Sequence, residues 1–304
     1  QAPGQQPVAH DAQRDAPFRD TGHAIAKHLD GHVDLIHVSA GHHEDPEVFT
    51  VTHPSIFSGD SCNIHFAAAI KKHVNTPVAT VGAHCDPDLL EEIIASDQAD
   101  VIEMARALMA DPDLPKKARA GRPEEIRPCL RCLNCFSNLV NNSQIYCAVN
   151  PTIGRELEHK YTSAAVEKKK VLVAGGGIGG MQAALTAVKR GHIVILCEKR
   201  GRLGGVLTCE ENVPFKKKIK DYLAWLVRQV ERASIDVRLN TPVTPEVARE
   251  LAPDVIIAAL GARAVMKPIP IRSKRSLGPR STRTAASTCS ATTPGWPWRG
   301  SWWR

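Results

Sequence analysis

The sequence predicts an α/β protein made of two stretches of parallel βα units, and three observations carry that expectation. Short apolar strand-like runs alternate with amphipathic helical runs over residues 33–120, and again from Lys170 onward. A glycine run, Gly175-Gly176-Gly177-Ile178-Gly179-Gly180, sits where strand gives way to helix in the second stretch. Four cysteines at short spacing, Cys129, Cys132, Cys135 and Cys147, lie between the two stretches. At 304 residues and 43% apolar composition, the chain has material for two buried cores.

Taken in order, the first 20 residues are expected to be irregular. Val33 to Ser39, Pro77 to Gly82 and Asp100 to Met104 read as strands, with helical periodicity near Ser61 to Val74 and Asp86 to Ala95. Asp86-Pro87 supplies an N-cap followed by a proline at the first helical position, where its missing N–H costs nothing. Three βα units cannot close a sheet, because an eight-stranded barrel takes about 250 residues; the chain therefore reads as starting inside a domain. The second stretch opens with a strand at Val171 to Ala174, then the glycine turn, a helix at Met181 to Arg190 and a strand at His192 to Glu198. A long amphipathic helix is expected from Pro214 to Ala233, with Ile219, Leu223, Leu226 and Val230 on one face, followed by strands at Asp236 to Leu239 and Asp254 to Leu260.

Composition narrows the function. No apolar run approaches the roughly 18 to 20 residues that span a bilayer, and Gln1 to Asp20 lacks signal-peptide architecture, so no membrane partner and a cytoplasmic location are expected. Nine cysteines in such a chain point to metal or redox chemistry rather than disulfides. The net charge of +7 resides in the tail, where residues 272–304 hold seven basic and no acidic side chains together with four of the five tryptophans. That tail has neither helical nor strand periodicity and reads as a non-native or out-of-frame terminus. The body is formally neutral, which argues against a nucleic-acid partner.

The pattern Cys129-x2-Cys132-x2-Cys135-x11-Cys147 places three thiolates in one loop with a fourth farther along, a spacing suited to a [4Fe-4S] cluster. Zinc is the competitor, although four-cysteine zinc sites usually pair two C-x-x-C knuckles. Cys62, Cys85, Cys197, Cys209 and Cys289 stand alone and read as incidental. Gly175, Gly177 and Gly180 satisfy G-x-G-x-x-G between a strand and a helix, and Glu198 ends the next strand 18 residues beyond Gly180, the Rossmann-like arrangement that seats a pyrophosphate and an adenosine ribose. Leu203-Gly204-Gly205 just beyond favours FAD over NAD there. If the first stretch is barrel-like, Gly82-Ala83 and Ala105-Arg106 follow its last two strands, where such barrels form phosphate sites and Arg106 adds a cation. His42-His43-Glu44-Asp45 suggests a metal site, but neighbouring side chains of an extended segment face opposite ways, so these read as loop residues.

Together the motifs resemble the flavin- and iron-sulfur-containing enoate reductases with an Old Yellow Enzyme-like barrel, including 2,4-dienoyl-CoA reductase and the related trimethylamine dehydrogenase. The stretches that carry the likeness are HVSAG (37–41), PVATVG (77–82), ARALMADPDLPKKARAG (105–121), RPCLRCLNC (127–135), CAVNP (147–151), VLVAGGGIGGMQAA (171–184) and DVIIAALGA (254–262). The resemblance implies the C-terminal part of an FMN-binding (β/α)8 TIM barrel over residues 1–122 and an iron-sulfur segment over 123–160. A partial FAD/NAD(P)-binding Rossmann-like domain would cover 168–270, with the tail from 271. It assigns Gly82, Ala83, Ala105 and Arg106 to the FMN phosphate, Cys129, Cys132, Cys135 and Cys147 to the cluster, and Gly175, Gly177, Gly180, Glu198 and Gly205 to FAD. Many family members have glycine at the position of Ala105. Electrons would pass from NAD(P)H to FAD, to the cluster, to FMN and to the C=C bond of a small-molecule alkene. The strands carrying the proton donor precede this stretch, so the catalytic residue is unknown and the chain alone is expected to be inactive. An electron-transfer module serving a partner, an amine dehydrogenase of the same family and a homo-oligomeric assembly all fit the same residues.

Overall fold

The structure is a computed structural model that describes residues 16–41, 46–161 and 164–262. The acidic and histidine run at 42–45 and the tail beyond 262 lie outside the described residues.

The first stretch forms a three-stranded parallel sheet. Helix α1 (Ala16–Leu29) leads to β1 (Ile36–Val38), then α2 (Pro46–Thr52), α3 (Ile64–Lys71), β2 (Val78–Val81), α4 (Pro87–Ala95) and β3 (Val101–Glu103). The strands lie in sequential order, β1-β2-β3, with Ile36 beside Val78 and Thr80 beside Ile102. All three expected strands are present but shorter, and β2 ends where the backbone turns out at Gly82, whose φ is +148°. Helix α1 takes in the end of the stretch expected to be irregular. Ala26, Ile36, Val38, Ala67, Val78, Leu90, Ile93 and Ala99 pack together as the core of this half. The Asp86 cap is as expected: its side chain accepts the Asp88 N–H at 3.1 Å and Pro87 opens α4.

Beyond β3 the chain runs through α5 (Arg106–Ala110), α6 (Leu114–Arg119), α7 (Asn134–Val140) and α8 (Glu156–Tyr161). The second sheet follows, with β4 (Lys170–Ala174), α9 (Ile178–Lys189), β5 (Ile193–Cys197), α10 (Lys217–Arg232), β6 (Ile235–Arg238), α11 (Pro245–Leu251) and β7 (Val255–Ala258). Its four strands are parallel in the order β6-β5-β4-β7. The chain winds one way from β4 and then crosses to its other side, which opens a crevice at the strands' C-terminal ends. Helix α9 begins at Ile178, earlier than expected, with Gly177 as its N-cap, so the last glycines of the run are helical. The residues expected between Pro214 and Lys216 form a 3-10 turn rather than the start of α10.

Helix α10 buries the expected face, with Leu223, Leu226 and Val230 nearly inaccessible, and it also buries Tyr222 and Trp225. Each large apolar side chain buried this way contributes about 1.5–3 kcal/mol. Among the described residues no helix is long and apolar enough to cross a membrane.

Candidate cofactor sites

Three groups of predicted residues come together at the C-terminal ends of strands. At the first sheet, Gly82, Ala83, Ala105 and Arg106 line one pocket of about 250 Å³, together with His53, His84, Glu103, Phe136, Cys129 and Cys135. Gly82 is required here on two counts: its φ is +148°, and a Cβ would meet the Asn63 side chain at 2.7 Å. Ala83 follows in the left-handed region at φ +57°, a conformation an L residue adopts only where its surroundings hold it. Ala105 caps the short helix α5. The Arg106 guanidinium is anchored by donating Nη1–H to Pro54 O at 2.8 Å, and its other N–H groups are available to an anion.

His84 is the residue the sequence reading overlooked. It is 4% exposed, and its ring meets Ser61 Oγ at 2.9 Å and Thr80 Oγ1 at 3.4 Å. Burial pushes its pKa down to about 4, so the imidazole is neutral at pH 7. Its place two residues beyond the glycine that ends β2 is the signal that could have separated it from the loop histidines upstream.

The cysteine loop forms another wall of the same pocket. Arg131 and Leu133, between the cysteines, have φ of +52° and +59° and wind the loop tightly. The Arg131 N–H donates to Cys129 Sγ at 3.4 Å. All four candidate thiols are free; Cys132 is exposed and the other three are half-buried. Burial raises the pKa of Cys129 and Cys135, the nearby Arg106 lowers it, and Cys147 and Cys132 lie close enough to raise it again. Among the described residues no three His, Cys, Asp or Glu side chains are gathered tightly enough to hold a metal ion.

At the second sheet the glycine run crosses the ends of β4 and β7. A Cβ on Gly175 would meet Ala259 O at 2.3 Å, and one on Gly180 would meet Gly175 O at 1.8 Å. Gly205 presses on the same turn, since its Cβ would lie 2.8 Å from the Gly177 Cα. The Glu198 carboxylate, 6% exposed, accepts the Gly176 N–H at 2.7 Å and the Arg200 N–H at 2.9 Å. In this arrangement Glu198 braces the glycine turn. Each oxygen keeps a second lone pair for a ribose hydroxyl.

A parallel sheet with a rim pocket, followed by a dinucleotide-type crevice, is an arrangement suited to seating nucleotide cofactors. Residues 16–125 match the NADH:flavin oxidoreductase / NADH oxidase family, and residues 170–286 match the FAD dependent oxidoreductase family. The chain thus carries one domain of the NADH:flavin oxidoreductase / NADH oxidase type and one of the FAD-dependent oxidoreductase type.

It is 43% identical over 249 residues to an NADH oxidase of Thermoanaerobacter brockii, covering 81% of this chain and 38% of that protein. A cinnamate reductase of Clostridium sporogenes is 34% identical over 212 residues, covering 69% of this chain and 32% of the relative. A solved 2-naphthoyl-CoA reductase superposes with a TM-score of 0.76 at 31% identity, covering 82% of this chain and 38% of that one. The chain thus spans about two fifths or less of the length of these relatives.

Proposed function

We propose that the intact protein is an NAD(P)H-dependent flavin and iron-sulfur oxidoreductase that reduces an activated C=C bond of the enoate or enoyl-CoA type. In this reading the present chain holds the cluster seat and part of each flavin site. The observation that carries the proposal is the single pocket in which Cys129 and Cys135 stand across from Gly82, Ala83, Ala105 and Arg106. The alkene reading draws on the names of two relatives, a cinnamate reductase and a 2-naphthoyl-CoA reductase.

Each residue has a definite task. Arg106 would pair with the FMN phosphate while its bond to Pro54 O fixes its direction. Gly82 and Ala83 would bring backbone close to that phosphate, which the positive φ of both permits. Gly175, Gly177 and Gly180 would let the pyrophosphate of FAD approach the start of α9, Gly205 would close the turn, and Glu198 would receive a ribose hydroxyl. Cys129, Cys132, Cys135 and Cys147 would ligate a [4Fe-4S] cluster. Their thiols neighbour one another, and three cysteines in one loop with a lone fourth suit a cluster better than the two paired knuckles usual for a four-cysteine zinc site. When bound, the flavins exchange electron pairs with nicotinamide and substrate, while the cluster passes electrons singly.

Iron, acid-labile sulfide, zinc and flavin content of the anaerobically purified chain test this reading. About four irons and four sulfides per chain are expected. About one zinc without sulfide would overturn it.

A further inference from the structure

Behind the cysteine loop, charged side chains from two distant segments converge on one carboxylate. Asp60, between α2 and α3, has Lys218 Nζ 2.7 Å from one oxygen and Arg131 Nη2 3.1 Å from the other. Lys218 belongs to the first turn of α10, and Arg131 to the cysteine loop. Arg131 also donates from Nη1 to Gly59 O at 2.5 Å. The Cys85 thiol donates to Asp60 at 3.3 Å, and Lys218 Nζ lies 3.4 Å from that sulfur. The Arg131 and Lys218 side chains are only 6% and 12% exposed, so water is a poor substitute for Asp60 as their partner.

Arg131 is an unexpected residue for its place. Its backbone sits at φ +52°, which suits glycine, and its Nε–H is buried without a partner. A charged residue is held there by its side-chain anchors, and the same turn presents its N–H to Cys129 Sγ. Whatever fixes the Arg131 side chain therefore fixes the aim of the neighbouring thiols.

We propose that Asp60 is a positioning residue. Through Arg131 it sets the cysteine loop, and through Lys218 it fastens α10 to the end of the first sheet. The cluster seat and the FAD-type domain are thereby held in register by one buried carboxylate. The first half rests on the iron-sulfur reading above; the second half does not.

The test uses the full chain with Asp60→Asn, Arg131→Gly, Lys218→Met, Lys218→Arg and the double variant Asp60→Asn/Arg131→Gly. In the cofactor-free chain, Asp60→Asn and Lys218→Met should speed amide hydrogen exchange in the first turns of α10 about tenfold and leave β4 and α9 unchanged. Lys218→Arg, which keeps the charge, should stay near the parent. Unchanged exchange in α10 with Asp60→Asn overturns the fastening role, and faster exchange throughout the chain overturns it equally.

After anaerobic loading with iron and sulfide, Asp60→Asn and Arg131→Gly should each lose iron to a chelator about tenfold faster than the parent, and the double variant no faster than either. Glycine suits the φ of residue 131, so that variant keeps the loop's backbone. Independent, multiplying effects in the double variant overturn the route through Arg131. If the parent takes up no iron and sulfide, the cluster reading and this first half fail together, while the exchange result still decides the second half.

Discussion

In each sheet an aspartate just ahead of one strand clasps the residue that opens the strand beside it. Asp100 donates its N–H to Val78 O at 2.8 Å and accepts the Val78 N–H on its carboxylate at 2.8 Å. Asp254 does the same to Lys170, at 2.9 and 2.7 Å. The clasp sets the same parallel register at β2–β3 and at β4–β7, yet the two sheets differ in what lies around it. The first has sequential strands and a small core. The second reverses direction at β4 and packs a larger core under α9 and α10. Sequential winding puts every loop on one rim, as a barrel needs, while reversal creates a crevice between two loops. Local strand chemistry is therefore shared, and the order of strands separates the two kinds of site.

The sharpest way to break the comparison is to remove one core side chain from each half. Leu226 of α10 is 0% exposed and Ile93 of α4 is 1% exposed. Leu226→Ala and Ile93→Ala should each cost about 2–5 kcal/mol in denaturant unfolding. If the halves unfold together, both variants lower one common midpoint; two separate transitions, each moved by only one variant, would show two independent folding units.

His84 makes the first half sensitive to acid. Its folded pKa of about 4 lies below the ordinary imidazole value of 6.5, so the unfolded chain binds the proton first. Its contribution is therefore fully present above pH 6.5, declines as pH falls, and is gone below about pH 4, a loss of roughly 3 kcal/mol. His84→Asn should flatten the pH dependence of stability across that window. An unaltered slope would refute burial as the cause.

The clasps come next. Asp100 also takes Lys71 Nζ at 2.7 Å, and Lys71 together with the Val78 N–H holds its carboxyl below the usual range, whereas the Asp254 carboxylate bonds the Lys170 backbone N–H. Asp100→Ala should cost about 1–2 kcal/mol and Asp254→Ala about 1, because both are partly open to solvent. Thermal unfolding at low and high salt separates them, since the lysine pair on Asp100 is screened and the backbone bonds are not.

These pairs show what was legible in the sequence. All seven strands, the Asp86 cap and the apolar face of α10 follow from local periodicity and capping chemistry. So does the gathering of Gly175, Gly177, Gly180, Glu198 and Gly205, because β4 and β5 are adjacent parallel strands joined by α9 and these residues follow their C-terminal ends. Helices α1, α2, α5 to α8 and α11 do not follow from periodicity: all but the 14-residue α1 are five to seven residues long, too short for a 3.6-residue period to declare itself. The burial of His84 and Arg131 was hidden for another reason. Each depends on partners far along the chain, and nothing in the adjacent residues announces them.

The finest comparison is between two caps of like design. Asp86 and Thr244 each precede a proline at the first position of a helix, and their side chains accept from Asp88 N–H at 3.1 Å and Val247 N–H at 3.4 Å. Asp86 is an anion at a helix N-terminus, so it gains from the helix dipole as well as from its hydrogen bond, whereas Thr244 has only the longer bond. Asp86→Ala should therefore cost about 1 kcal/mol and Thr244→Ala about 0.5. Asp86→Asn, which keeps the acceptor and removes the charge, should fall between the parent and Asp86→Ala. If Asp86→Asn matches Asp86→Ala, charge alone carries the cap; if it matches the parent, the hydrogen bond does, and the two halves then start their helices by the same means.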